Sequence, residues 1–174
     1  MQFKEIGKAI AALIFFVAAS GCGYHFEGMG LTAPEGVHTI AITVLDNRTS
    51  ESGIETVFTS DITYEFTRSK VLRVVGKETA DAVLGGKVAS LTVDTISHTA
   101  SYDSDERRVI IALDLALERA DGSVIWSNKS LSDKEAFKVV PSDKLATEKN
   151  RRAAIEAISE RLAEKIHNRI LQGF

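Results

Sequence analysis

The sequence predicts an α+β fold, a two-layer α/β sandwich in which two helices cover one face of a mixed four- to five-stranded sheet. Three patterns lead to this prediction. A β-branched run at residues 37–45 precedes a segment with helical spacing, residues 108–118 alternate between apolar and polar, and an apolar stripe at helical spacing closes the chain. The predicted order of elements is β-α-β-β-β-β-α.

The first strand and the first helix are predicted from residues 37–68. The stretch VHTIAITVL at residues 37–45 alternates, and it stops at DNRT, a cluster of turn-forming residues at 46–49. Ser52 and Glu55 have the spacing of a capping box, in which each side chain bonds a free N–H at the start of a helix. We therefore expect a helix over residues 53–68, with these apolar residues on one face: Ile54, Val57, Phe58, Ile62 and Phe66.

Two further strands follow this helix. The short run VLRVV at residues 71–75 predicts a strand parallel to the first, joined to it by a right-handed crossover. Residues 82–96 predict a long strand whose apolar phase changes, because Leu84 and Val88 have one parity whereas Leu91 and Val93 have the other. A β-bulge or a strong twist between residues 85 and 90 would reconcile the two halves.

A hairpin and a helix complete the predicted domain. Residues 108–118 form the clearest alternation, and Asp121-Gly122 predicts a tight turn into an antiparallel strand at residues 123–131. A helix is expected after Pro141, with Glu148 and Arg152 as an i,i+4 pair on its exposed side. Its apolar stripe consists of Ile155, Ile158, Leu162, Ile166 and Ile170.

The N-terminus has the layout of a bacterial lipoprotein signal peptide. A net-positive start, an apolar block at residues 10–19 and small residues before Cys22 predict a signal peptide at residues 1–21. The block is too short to span a membrane, since a spanning helix needs about 20 apolar residues. ASGC at residues 19–22 resembles a lipobox, apart from Ala19 where leucine is commonest. We therefore expect an outer-membrane lipoprotein whose Cys22 carries an N-acyl (palmitate) chain and an S-diacylglycerol, and Gly23 favours the outer membrane because aspartate there commonly signals inner-membrane retention.

Two other interpretations of Cys22 are weaker. It is the chain's single cysteine, so an intramolecular disulfide is impossible, and a buried thiol is not expected at the end of a signal sequence. Residues 22–36 are glycine-rich and predict a lipidated tether, which leaves residues 37–174 as one domain. The chain has 21 basic and 24 acidic residues, so no positive excess favours nucleic acid.

No pattern in the sequence indicates an enzyme, a cofactor or a metal. The four histidines are far apart and none has a metal-binding spacing. Asp103, Asp105 and Glu106 resemble the start of a calcium loop, but the glycine and the distal glutamate of that loop are missing. No nucleophile, base and orienting group can be assembled from these residues. We therefore expect no catalytic residues.

Several motifs together resemble the LptE family of lipopolysaccharide-assembly lipoproteins. The stretch CGYHF at residues 22–26 follows the lipobox, and TIAI at 39–42 and DNRT at 46–49 come next. The further matches are LRVV at 72–75, ADAVLGG at 80–86, VIW at 124–126, NRR at 150–152 and LQGF at 171–174. The similarity extends over nearly all of the mature chain. Their order carries the resemblance more than any single motif.

The resemblance implies a lipid-anchored partner of the Gram-negative outer-membrane β-barrel LptD, inside which the lipoprotein would sit as a plug and assist lipopolysaccharide transport to the outer leaflet. Cations suit the phosphates of lipopolysaccharide. The candidates are Arg107 and Arg108 at the base of the hairpin, with Lys134 and Lys138 in the loop that follows. For any one of these residues, a solvated surface charge is the alternative interpretation.

The face of the sheet that the two helices leave uncovered is the expected barrel contact. It contains Ile110, Ala112 and Ala116 among Arg108, Asp114 and Glu118, a mixture that suits a wet, polar interface. Tyr102 in the hairpin tip and Asp114 on this face are the candidate contact residues. The alternative functions are an outer-membrane lipoprotein that activates a cell-wall synthase or assists a secretion pore, since IAITVLDNR at residues 40–48 also resembles such lipoproteins. Extra helices between the strands would favour those alternatives.

Overall fold

The computed structural model describes residues 31–97 and 105–172 of the 174-residue chain. Two long helices and six strands make up this part of the protein. In chain order the elements are β1 (Thr39–Ile42), β2 (Asp46–Asn47), α1 (Ile54–Ser69), β3 (Arg73–Val74), a 3₁₀ turn (Lys77–Thr79), β4 (Ala82–Ser97), β5 (Asp105–Arg119), β6 (Val124–Val139) and α2 (Lys144–Gln172).

The strands form one mixed sheet in the order β3-β1-β4-β5-β6. β1 is parallel to both β3 and β4, as the sequence predicts for the first strands, whereas β4, β5 and β6 are antiparallel neighbours. The predicted sheet has one strand fewer than the sheet in the structure. β2 lies where a turn is expected, and its residues pair in parallel with Lys87 and Val88 of β4. The turn follows immediately, because the backbone N–H of Thr49 donates to Asn47 Oδ1 at 2.8 Å.

The start of α1 differs from the predicted capping box. Gly53 is the N-cap residue, with a left-handed φ of 83°, and no side chain caps the helix. A residue with a side chain is strained in this conformation, which explains a glycine here. Glu55 instead accepts a hydrogen bond from Asn47 Nδ2 at 2.9 Å. The helix itself runs to Ser69, close to the predicted end.

The predicted bulge in β4 is confirmed. The pairing of β4 with β5 shifts by one residue between Val88 and Ser90, so the apolar residues on both sides of the shift face the helices. Gly86, just before the bulge, has a φ of 149°, and a Cβ atom there would overlap the backbone of Asp114 and Leu115. β4 and β5 therefore approach each other at Gly86 more closely than any side chain allows.

β6 is almost twice as long as predicted. It continues through Ser130, which has a φ of 58°, and ends only at Val139. Lys134 and Lys138 consequently lie in a strand and not in a loop, which corrects the prediction. The sequence does not predict this half of the strand, because Asp133 and Glu135 point towards the helix layer, where apolar residues are expected.

Arg161 of α2 neutralises those two carboxylates. Its guanidinium lies 3.0 Å from Asp133 Oδ2 and 2.9 Å from Glu135 Oε2. Burial opposes ionisation of Asp133, but the backbone N–H of Lys134 and the Arg161 guanidinium lower the pKa of Asp133 below its ordinary value. These ion pairs fasten the long helix to the edge of the sheet.

Both helices pack on the same face of the sheet around one core. The predicted stripe of α2 is confirmed, since Ile155, Ile158, Leu162, Ile166 and Ile170 are all buried. It meets the apolar residues of α1 and the buried face of β5, which consists of Val109, Ile111, Leu113, Leu115 and Leu117. The predicted Glu148–Arg152 pair is also present, with 3.2 Å between Arg152 Nε and Glu148 Oε1. An exposed pair of this kind adds little stability.

The two ends of the described chain meet at one end of the domain. The Thr32 backbone N–H donates to the Leu171 carbonyl oxygen at 2.9 Å, and Arg119 Nη2 donates to the Glu35 carbonyl oxygen at 2.7 Å. Residues 31–36, the described part of the expected tether, therefore contact the domain. We call this the proximal end, and the opposite end, where β4 leads into β5, the distal end.

Candidate functional site: the open face of the sheet

The face of the sheet opposite the helices is open along β4, β5 and β6. The predicted residues of β5 share this face, and each pairs with a residue of β4: Arg108 with Asp94, Ile110 with Thr92, Ala112 with Ser90, Asp114 with Lys87, Ala116 with Gly85 and Glu118 with Val83. All six β5 side chains are at least partly exposed, whereas their neighbours on the helix side are buried. Within residues 31–97 and 105–172, no helix lies over this open face.

Small residues make the proximal part of the open face concave. A depression of about 580 Å³ lies over Val83, Gly85, Ala116 and Glu118, with Arg119 at its rim. Glycine and alanine leave this space because they project little or nothing from the sheet. The depression can therefore receive a protruding side chain from a partner surface.

Asp114 lies in the middle of the open face but is only partly exposed. Its carboxylate accepts the Ser130 backbone N–H at 2.8 Å and lies 3.4 Å from Lys87 Nζ. The hydrogen bond from Ser130 and the charge of Lys87 lower the pKa of Asp114 below its ordinary value. Asp114 thus holds the irregular segment of β6 around Ser130 against β5. Tyr102, the other expected barrel contact, lies outside the described residues, as does Cys22.

Three of the four expected lipopolysaccharide contacts are brought together on the open face. Arg108 is directly opposite Ala136 of β6, and Lys134 and Lys138 lie two residues to either side of Ala136. Diagonal neighbours of this kind are about 7–8 Å apart. We call Arg108, Lys134 and Lys138 the basic cluster.

Arg107 does not belong to the basic cluster. Successive residues of a strand point to opposite faces, and Arg107 pairs with Phe137 on the helix side. The sequence places Arg107 and Arg108 together only because they are adjacent in the chain. Two acidic residues of the open face flank the basic cluster, Asp94 beside Arg108 and Glu106 beside Lys138.

Neither a metal site nor a membrane-spanning helix is found in the described ranges. No three residues of the types that bind metals converge among residues 31–97 and 105–172. Neither α1 nor α2 is long and apolar enough to cross a bilayer.

In the described residues, the domain has two layers, with one face of the sheet covered by helices and the other face open and charged. A model of the LptE lipopolysaccharide-assembly family matches residues 37–170. The chain belongs to the LptE family. Membership assigns it a role in lipopolysaccharide assembly and makes it a membrane-associated, lipoprotein-type protein.

Two solved lipoprotein structures are similar to this chain. Uncharacterized lipoprotein B from Nitrosomonas europaea superposes with a TM-score of 0.56 at 16% identity, over 86% of this chain and 90% of that one. Rare lipoprotein B from Shewanella oneidensis has a TM-score of 0.48 and 18% identity, over 76% of this chain and 92% of that one. No curated protein matches the sequence. The likeness to the Nitrosomonas lipoprotein shows a shared fold, and the role in lipopolysaccharide assembly comes from the family match.

Proposed function

We propose that the protein is a non-enzymatic outer-membrane lipoprotein, anchored through Cys22, that sits inside an LptD-type β-barrel as a plug and assists the transfer of lipopolysaccharide to the outer leaflet. The observation that carries this proposal is the open face of the sheet, which is charged, partly apolar and left uncovered by the helices. Family membership supports the role in lipopolysaccharide assembly. The barrel partner and the outer-membrane location are our inference.

The open face suits the inner wall of a barrel. The lumen of a large outer-membrane barrel is polar and contains water, so a plug needs a surface that tolerates wet contacts. The open face alternates charges with alanine and isoleucine, and the depression over Gly85 can receive a side chain from the wall. A fully apolar face would instead be expected in a dry, permanent interface.

Photo-crosslinking in intact cells tests this proposal. A crosslinker at Ser127, an exposed residue that pairs with Ala116 of the open face, should capture the LptD-type barrel. Ser127 is a better probe position than Asp114, because the Asp114 side chain is needed to hold β6. Tyr102 provides a second probe in the hairpin tip. Glu160, exposed on α2, is the matched control and should capture less of the barrel. Capture of cell-wall synthases at Ser127, or of nothing, would contradict the plug.

The basic cluster is the proposed contact for lipopolysaccharide phosphates. A combined Arg108→Ala, Lys134→Ala and Lys138→Ala variant should bind lipopolysaccharide at least about tenfold more weakly, because a charge-assisted hydrogen bond contributes about 1.5–3 kcal/mol. Binding is measured with labelled lipopolysaccharide in detergent. An unchanged circular dichroism spectrum would show that the domain remains folded.

Arg107→Ala is the matched control for the basic cluster. It removes the same kind of charge from the neighbouring position but on the helix side of the sheet. The cluster is supported if Arg107→Ala binds lipopolysaccharide better than the triple variant. Equal affinities of the triple variant and the unaltered protein would remove these residues as contacts.

The proposed anchor predicts a lipid label on Cys22. Cys22→Ser should abolish incorporation of radiolabelled palmitate, because diacylglyceryl transfer needs a thiol, and the signal peptide should remain uncleaved. Each buried methylene contributes about 0.8 kcal/mol to anchoring, so the variant should also be lost from washed outer membranes. The assay is autoradiography of immunoprecipitated protein, and a label of normal intensity on Cys22→Ser would contradict the assignment.

A further inference from the structure

The distal half of β4 has no neighbour on one side. β1 pairs with residues 82–84 of β4, and β2 pairs with Lys87 and Val88. Beyond these two short strands, β4 continues to Ser97 with β5 as its single partner in the described part of the sheet. We call residues 90–96 the free edge.

Backbone groups of the free edge point away from β5. The carbonyl oxygens of Leu84 and Val88 face outwards, since they accept hydrogen bonds from Thr43 and Arg48 at 3.0 Å each. Outward groups recur at every second residue of an antiparallel strand. After the bulge, the outward positions are therefore Leu91, Val93 and Thr95. Among the described residues, none bonds the backbone N–H or C=O of these three.

The other long edge of the sheet, β6, is protected by side chains. Arg161 Nη2 donates to the Lys134 carbonyl oxygen at 3.1 Å, Asn150 Nδ2 donates to the Lys138 carbonyl oxygen at 2.9 Å, and the Lys134 N–H donates to Asp133 Oδ1 at 2.7 Å. Lysines, inward charges and a covering helix are the usual means by which proteins prevent strand addition. β6 has all three.

None of these protections is present on the free edge. Its sequence, SLTVDTI, contains no proline and no lysine, and its threonine, valine and isoleucine favour an extended chain. Val93 is 41% exposed and Ile96 is 40% exposed. The pairing of β4 with β5 shifts at Val88/Ser90 and again at Thr95/Ser97. Between these two shifts the edge is regular and exposed, which makes it a template for another strand.

The described chain offers no segment that can reach the free edge from the proximal end. Arg119 donates a hydrogen bond to the Glu35 carbonyl oxygen and pairs with Ala82, so Glu35 lies near the start of β4. Val93 is eleven residues further along β4, about 36 Å at 3.3 Å per residue. The described residues 31–36 are therefore held at the proximal end, away from the free edge.

The free edge borders the open face of the sheet. Thr92 and Asp94 of β4 lie opposite Ile110 and Arg108, which belong to the open face. A partner that covers the open face can therefore also reach the free edge, which favours the barrel partner over a second copy as the occupant.

We propose that the free edge of β4 binds an extended segment of the barrel partner, which adds a strand to the sheet. This inference depends on the proposed function, because it assigns a binding mode to the same partner. The incoming strand would carry apolar side chains against Leu91 and Val93 and polar side chains against Thr92 and Asp94. Its main chain would bond the outward groups of Leu91, Val93 and Thr95.

Val93→Pro tests this pairing in the full-length lipidated protein, co-purified with the LptD-type barrel from detergent-solubilised outer membranes. Proline removes the outward N–H of Val93, which β5 does not use, and its ring obstructs the incoming strand. Barrel recovery should fall by more than about tenfold, because the incoming strand loses its hydrogen bond to Val93 and the adjacent pairs are lost with it. Val93→Ala trims the side chain but keeps the N–H, so its loss should be clearly smaller.

Hydrogen exchange provides a second measurement that needs no variant. The amides of Val93 and Thr95 should exchange more slowly in the purified complex than in the free lipoprotein, because strand addition buries them in hydrogen bonds. Unchanged exchange, or equal barrel recovery with Val93→Pro and unaltered protein, would overturn strand addition and leave the plug intact. Failure of the unaltered protein to recover the barrel would instead refute the proposed function. Slower exchange only on self-association would identify a second copy as the occupant and overturn the proposal.

Discussion

Phe58→Ala is expected to lower the free energy of unfolding by about 3–5 kcal/mol. Phe58 lies on α1, and its side chain is completely buried in the core that both helices share with the sheet. Its removal takes away apolar contact area and leaves a cavity that the surrounding strands and helices can fill only in part. A protein of this size has a total stability of about 5–15 kcal/mol. The variant should therefore be close to unfolding at physiological temperature.

Urea denaturation of the chain produced from residue 23 onward would measure this loss. Tyr64→Ala is the matched control, because Tyr64 lies on the same helix with 62% of its surface exposed and only a cation–π contact to Arg68. We expect a change below about 1 kcal/mol there. Similar midpoints for the two variants would mean that α1 does not pack on the sheet as described.

Gly86→Ala is expected to destabilise the protein by about 3 kcal/mol, a large cost for a single methyl group. Two effects add at this position. The φ of 149° is one that residues with a Cβ rarely adopt, and the new methyl group would lie 2.9 Å from Leu115 Cα and closer still to the Asp114 carbonyl oxygen. Both obstacles are backbone atoms of β5, so β4 and β5 would have to separate.

Two other glycines separate the effects of strain and overlap. Gly76 has an ordinary φ of −67°, and a Cβ there would be 3.6 Å from Glu78 Oε2, so Gly76→Ala should change stability by less than about 0.5 kcal/mol. Gly122 has a φ of 85° with open space around it, so Gly122→Ala should show the strain alone, about 1 kcal/mol. Thermal unfolding followed by circular dichroism would rank the three variants. A Gly86→Ala protein as stable as Gly76→Ala would contradict the close approach of the two strands.

The sequence predicts the parts of this fold in which one face of an element is apolar. Three patterns are of this kind: the stripe of α2, the alternation of β5 and the change of phase in β4. In each of them, a residue is apolar or polar according to whether its side chain faces the core. Even the bulge near Ala89 is predictable, because the apolar residues change parity there while the strand remains on the same core.

The elements that the sequence misses are stabilised by polar contacts between distant residues. The second half of β6 faces the helix layer with Asp133 and Glu135, and only Arg161, far along the chain, makes this tolerable. The start of α1 misleads for a similar reason, because Asn47 binds Glu55 and leaves Gly53 as the cap. No local pattern identifies such partners.

The sequence predicts which residues belong to the candidate site better than it predicts their positions relative to one another. The open face of β5 follows from alternation alone, and three of the four expected cations share it. Arg107 could be excluded from the basic cluster only by its parity relative to Arg108, and the positions of Lys134 and Lys138 depended on the unpredicted length of β6. The free edge of β4 is invisible in the sequence, since it results from the shortness of β1 and β2.

The meeting of Thr32 with Leu171 has a consequence for engineering the chain. Because both ends of the described chain emerge side by side, a circular permutant with a short linker from residue 172 to residue 31 and new ends in the turn at Gly122 would keep every element in place. A membrane anchor transplanted to follow Gln172 would hold the domain in the same orientation as one attached before residue 31. The fold therefore accepts an anchor at either end of the polypeptide.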